Sequence, residues 1–117
     1  MAAYIPERGD LVWIDFDPEA GHEQRGRRPA VVLSPYDYKR PAGLALICPV
    51  TSRAKGYPFE VPLPSGAPAK GVVLVDQVRN LDWRARRMSF IGTLPAEILV
   101  ELFEKLRPLV ATEDELF

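Results

Sequence analysis

Residues 9–35 read GDLVWIDFDPEAGHEQRGRRPAVVLSP, and their order decides the architecture. Gly9-Asp10 makes a turn. Leu11–Phe16 follows, rich in β-branched and aromatic residues, which predicts a first strand. Asp17-Pro18 ends it. A polar loop over residues 17–29 gathers Glu23, Gln24, Arg25, Arg27 and Arg28 before Pro29 closes it. Ala30–Ser34 is a short apolar run suited to a second, buried strand, and Pro35 stops it. A carboxylate and several guanidinium groups thus sit on a rigid strand margin. Guanidinium binds phosphate oxygens through paired, charge-assisted hydrogen bonds, so the loop suits a phosphate-bearing ligand. The same residues also suit a solvated charged turn.

Working outward, residues 36–43 form a loop with Pro41 and Gly43, and Leu44–Thr51 reads as a third strand leading into a polar loop, Ser52–Gly56. Tyr57–Leu63 is a fourth strand. Pro58 and Pro62 put it at an edge, because proline cannot donate to a central ladder. PSGAPAKG (residues 64–71) is a surface turn, Val72–Val78 a fifth strand, and Met88–Gly92 is read as a sixth. Only the end is helical in pattern: Ile98, Leu99, Leu102, Phe103, Leu106, Leu109 and Val110 draw one stripe at a 3.6-residue period. Pro95 suits the first turn, Glu97 lies near the positive end of the helix dipole, and Pro108 should kink or end the helix. Short strands with tight turns and one amphipathic helix imply a mainly β fold, a small, strongly bent sheet or barrel closed by a C-terminal helix. The strands do not alternate with helices, which argues against a parallel doubly wound sheet.

The chain of 117 residues has the length of one domain, and its 47% hydrophobic content supplies an ordinary core. We expect residues 1–117 to form a single unit. A lone Cys48 cannot form an internal disulfide and fits a reducing, cytoplasmic setting. His22 is the only histidine and there is no CxxC, so neither a structural zinc site nor any other metal or cofactor is expected. The N-terminus reaches a charged turn within a few residues, and neither a signal peptide nor a membrane span is expected. Net charge is −1, but it is unevenly spread: residues 1–90 carry 13 basic and 10 acidic side chains, residues 91–117 only 2 basic against 6 acidic. That asymmetry permits a local anion-binding face without a high isoelectric point.

Four stretches, GDLVWIDFDP (9–18), GHEQRGRRPAVVLSP (21–35), PVTSRAKGYPFE (49–60) and GVVLVDQVRNLDWRAR (71–86), resemble in order the MazF/PemK toxins of bacterial toxin–antitoxin systems. The likeness runs over roughly residues 5–110. It implies the small SH3-like β-barrel of the MazF/PemK/CcdB toxins, working as a homodimer. It implies a metal-independent, sequence-specific endoribonuclease acting on single-stranded RNA, and a MazE-like antitoxin whose disordered tail covers the RNA groove.

Residue by residue, the resemblance gives Arg28 the scissile phosphate, Thr51 a hydroxyl donated to a phosphoryl oxygen, and Glu23 a carboxylate beside the active site. Each also has a plainer reading: a structural ion pair for Arg28, a β-branched strand residue for Thr51, a surface glutamate paired with Arg25 or Arg27 for Glu23. Some relatives of the PemK branch rely on another carboxylate and arginine, which leaves the base open. His22 has a suitable unperturbed pKa, yet one histidine per chain cannot run a two-histidine mechanism, and we read it as a loop residue. Gln24, Arg53, Lys55 and Gln77 are candidate RNA contacts, amides for base edges and cations for phosphates. Phe16 is either a base-stacking face or core. Asp82–Arg87, an aromatic among three arginines, suits nucleic acid or an intersubunit salt-bridge network, and Trp13 and Trp83 suit core or interface anchors. The alternatives are a non-catalytic relative of the same fold, like the CcdB toxins that poison DNA gyrase, and a degenerate relative that only sequesters an antitoxin.

Overall fold

The computed structural model describes residues 4–16, 26–37 and 43–111. Seven strands are defined there: β1 (Asp10–Asp15), β2 (Arg27–Val32), β3 (Leu44–Thr51), β4 (Glu60–Pro62), β5 (Val72–Leu74), β6 (Arg79–Asp82) and β7 (Ser89–Thr93). A 3₁₀ turn, Val75–Gln77, follows β5, and the C-terminal helix spans Ala96–Val110. The strands run antiparallel in the order β4-β5-β3-β2-β1-β7, with β6 paired to β3. Its ends, β4 and β7, are not paired with each other, so the sheet is strongly bent rather than a closed barrel.

β3 is the hub. It pairs with β2 along one margin, and with β6 and then β5 along the other. A strand flanked on both margins and packed on both faces needs apolar residues throughout, which is why LALICPVT reads almost continuously apolar. The bend gives the sheet two cores. Leu11, Val31, Cys48, Val50 and Val73 face the helix, which buries Ile98, Leu102 and Leu106 against them. Val12, Ile14, Phe16, Ala30, Val32, Ala45 and Ile47 face the other way and close on Leu81 and Trp83. Complete burial of these side chains contributes about 1.5–3 kcal/mol for each large one.

Several expectations need adjustment. β2 begins at Arg27, inside the stretch read as loop. Pro29 lies within the strand, where β2 is paired to β1 but not yet to β3, a margin that tolerates proline. The fifth strand stops at Leu74 and gives way to the 3₁₀ turn. β6 had no counterpart in the sequence reading. The helix runs two residues past Pro108 before Ala111 N–H closes it on the Arg107 carbonyl, since a proline this near the end forfeits only the hydrogen bond to Glu104. Pro95 is the residue before the first turn rather than within it. Trp13 is 41% exposed and Trp83 buried, so only the second is a core anchor.

Candidate active site

The β2–β3 register pairs Ala30 with Pro49 and Val32 with Ile47. Continued two residues toward the loop, it sets Arg28 opposite Thr51. The period of two puts both on one face of the sheet, the face of Ala30, Val32 and Ile47. There they line a polar cleft of about 760 Å³, together with Ser52, Arg53, Lys55, Tyr57, Glu60, Leu74, Asp76 and Gln77. Arg28, Thr51, Arg53, Lys55 and Gln77, singled out from the sequence, therefore share one cleft. Glu23, Gln24 and His22 lie outside the described residues.

Thr51 is buried to 7% exposure at the last position of β3. Its Oγ1 accepts a hydrogen bond from the Arg53 backbone N–H at 3.2 Å, which leaves the hydroxyl proton to be donated outward. Its backbone is fixed from behind by Gly71, whose φ is +121°. A Cβ at residue 71 would stand 2.0 Å from the Thr51 carbonyl oxygen, so only glycine permits this approach. Beyond Thr51 the chain runs exposed through residue 58 and turns back into β4. The Glu60 carboxylate, itself 7% exposed, accepts the Lys55 N–H at 3.1 and 3.0 Å and the Gly56 N–H at 2.9 Å.

Phe16 is a correction. It is fully buried, with the Arg79 guanidinium 5.9 Å from its ring centroid, so no base can stack on it. Among the described residues, the aromatic at the cleft is Tyr57, 59% exposed, with Lys55 Nζ 5.9 Å from its ring centroid. Asp76 and Glu60 are cleft residues that the sequence reading missed. Asp76 reaches the cleft because the chain leaves β5 as a 3₁₀ turn instead of continuing as a strand.

The second charged cluster lies on the opposite face. Arg27 Nη1 is 3.0 Å from Asp15 Oδ1, Arg87 Nε is 2.8 Å from Asp15 Oδ2, and Arg27 Nη2 donates to Ser89 Oγ at 3.0 Å. Hydrogen bonding from Arg87 and then Arg27 holds the Asp15 carboxyl below its ordinary range. Asp82 Oδ1 accepts the Arg84 and Ala85 N–H groups, and the Arg84 guanidinium lies 4.8 Å from the Trp83 ring centroid. The basic run after Asp82 is thereby tied down within one chain.

Cys48 faces the helix-side core, and burial, helped by Asp76, pushes its thiol up to about 12. Among the described residues no group of three or more His, Cys, Asp or Glu side chains could hold a metal ion, and no helix is long and apolar enough to cross a membrane.

The model of the PemK-like, MazF-like toxin of type II toxin–antitoxin systems matches residues 7–110. The endoribonuclease toxin MazF of Escherichia coli K12 is 48% identical over 110 residues, which cover 94% of this chain and 98% of the relative. The crystal structure of MazF (Form-I) from Deinococcus radiodurans superposes with a TM-score of 0.90 at 55% identity, covering 94% of this chain and all of that one. A MazE–MazF crystal structure (Form-II) from the same organism gives a TM-score of 0.84 at 49% identity over 95% of this chain and all of the matched chain.

Proposed function

The chain belongs to the PemK-like, MazF-like toxin family of type II toxin–antitoxin systems, and on that premise we propose how its cleft works as an endoribonuclease. The protein is an endoribonuclease toxin. Its substrate in this reading is single-stranded RNA, cut at short sequences without a metal ion. The observation that carries the reading is the shared face of Arg28 and Thr51 at the cleft.

Metal-free cleavage uses the substrate's own nucleophile. The ribose 2′-hydroxyl attacks the adjacent phosphorus, the bond to the 5′-oxygen breaks, and the products carry a 2′,3′-cyclic phosphate and a 5′-hydroxyl. One proton leaves the 2′-oxygen and one reaches the departing 5′-oxygen. The negative charge that builds on the phosphoryl oxygens needs donors already in place. The Arg28 guanidinium and the Thr51 hydroxyl supply them. Arg28 stabilises charge rather than shuttling protons, because a guanidinium stays protonated in proteins. Asp76 and Glu23 are the candidates for the base, whereas the Glu60 oxygens are taken up by backbone amides. Arg53 and Lys55 hold flanking phosphates, Gln77 and Gln24 meet base edges, and Tyr57 takes the stacking role that buried Phe16 cannot.

A MazE-like antitoxin is the proposed partner, from the MazE–MazF structures of the Deinococcus relative. We place the toxin in the cytoplasm as a homodimer, a state in keeping with the exposed Phe103, Leu109 and Val110 of the helix. Gyrase poisoning loses its ground against relatives named as endoribonucleases along nearly the whole chain. The purified protein, incubated with mixed-sequence single-stranded RNA in EDTA, should give discrete cuts with 5′-hydroxyl ends. Intact RNA, or cuts that appear only when a divalent ion is restored, would overturn the reading.

A further inference from the structure

We propose that Glu60 is a positioning residue for RNA binding: its buried carboxylate clamps the exposed loop that presents Lys55 to the cleft. The inference rests on the RNA-cleaving reading above and extends it to a cleft residue whose carboxylate is taken up by backbone amides.

Three observations carry it. First, the loop between β3 and β4 is exposed from Ser52 to Pro58 and forms neither strand nor helix, so its conformation must be held by specific contacts. Second, the Glu60 carboxylate supplies them. It takes the consecutive N–H groups of Lys55 and Gly56, and Gly56 adopts a φ of +77° that lets the two amides converge. Successive amides converging on one anion form a nest, here filled by the protein's own carboxylate. Third, Glu60 is anchored from behind. It pairs with Leu74 across β4 and β5, and its backbone carbonyl accepts a hydrogen bond from Lys105 Nζ of the C-terminal helix at 2.9 Å. The clamp thus joins an exposed, irregular loop to the strands and helix of the fold.

A carboxylate at 7% exposure is costly unless donors saturate it. An apolar side chain at the start of β4 would fill the same volume without that cost. What the carboxylate adds is a fixed backbone at Lys55, and so a fixed direction for its ammonium group. A binding group held in advance loses less entropy when the ligand arrives.

The test is a double-mutant cycle on a defined single-stranded RNA, with KM and kcat measured separately. Glu60→Gln should raise KM about tenfold, the scale of one lost charge-assisted contact, with kcat within about twofold. In a Lys55→Ala background the same change should add less than about twofold to KM, because its route of action is already gone. Independent, multiplying effects on KM, or a loss in kcat alone, would overturn the clamp. The wild-type protein gives a second arm that needs no variant to fold. By hydrogen exchange, the Lys55 and Gly56 amides should be protected about 100-fold or more despite their exposed loop, and free exchange would overturn the clamp. A wild type that cleaves no RNA would defeat the functional reading instead, and the exchange result would still decide the clamp.

Discussion

Arg27 and Arg28 are neighbours on one strand and lead different lives. Arg27 turns to the face where Asp15 and Ser89 wait, and its guanidinium joins β1, β2 and β7. Arg28 turns to the other face and lines the polar cleft beside Thr51. Residue type, loop and local sequence are the same for both. The pleat alone, which sends successive side chains to opposite faces, separates a stitch from the proposed phosphate ligand. A one-residue slip in the register of β2 would exchange the two roles.

The largest effect expected from breaking this contrast is on cleavage. Arg28→Ala should lower kcat about 10²–10³-fold, the scale for losing one preorganised donor to a developing anion. Arg27→Ala should leave kcat within about threefold, as its ion pair is partly solvated. Single-turnover rates for the two variants on one RNA check both statements, and equal losses would erase the distinction. Gly71→Ala should come next. The added methyl group meets the Thr51 carbonyl oxygen at 2.0 Å in a backbone region that alanine avoids. Cleavage should fall tens of fold as Thr51 is displaced, with a lower melting temperature in the same preparation.

The smallest effect sharpens the Arg27 side. The Asp15 carboxyl titrates below its ordinary range in the folded chain, because Arg87 and Arg27 favour its ionised form. Its stabilising contribution is therefore present above the unfolded pKa of about 3.9 and is lost as pH falls through the folded value. Asp15→Asn should lower the melting temperature slightly at neutral pH, and the gap to wild type should close in acid. A gap that widened on acidification would contradict the ion-pair account.

Legibility followed burial. β3 was readable to the residue, because a strand covered on both faces and both margins has to be apolar along its length. The helix was readable from its stripe, although Phe103, Leu109 and Val110 are more exposed than Ile98, Leu102 and Leu106. β6 was not readable. Of Arg79–Asp82 only Leu81 is buried, and the strand exists because Leu44–Ile47 of β3 offers it a ladder. Arg28, Thr51, Arg53, Lys55 and Gln77 were legible as candidates through the family resemblance, yet nothing in residue order says that they share a cleft. Phe16 misled because an aromatic at a strand end looks alike whether it points to solvent or to core. Glu60 left no trace in the side-chain pattern, since its partners are backbone amides, and Asp76 was hidden by a strand expected to run on to Val78.

The most direct measurement is the structure of the protein with a short RNA carrying a 2′-deoxynucleotide at the cut site, which removes the nucleophile and keeps the phosphate. The account predicts one phosphodiester bridging the Arg28 guanidinium and the Thr51 hydroxyl, each within hydrogen-bond distance, while Arg27 stays on Asp15. RNA seated on the Arg27 face, or a scissile phosphate that Arg28 and Thr51 do not share, would contradict it.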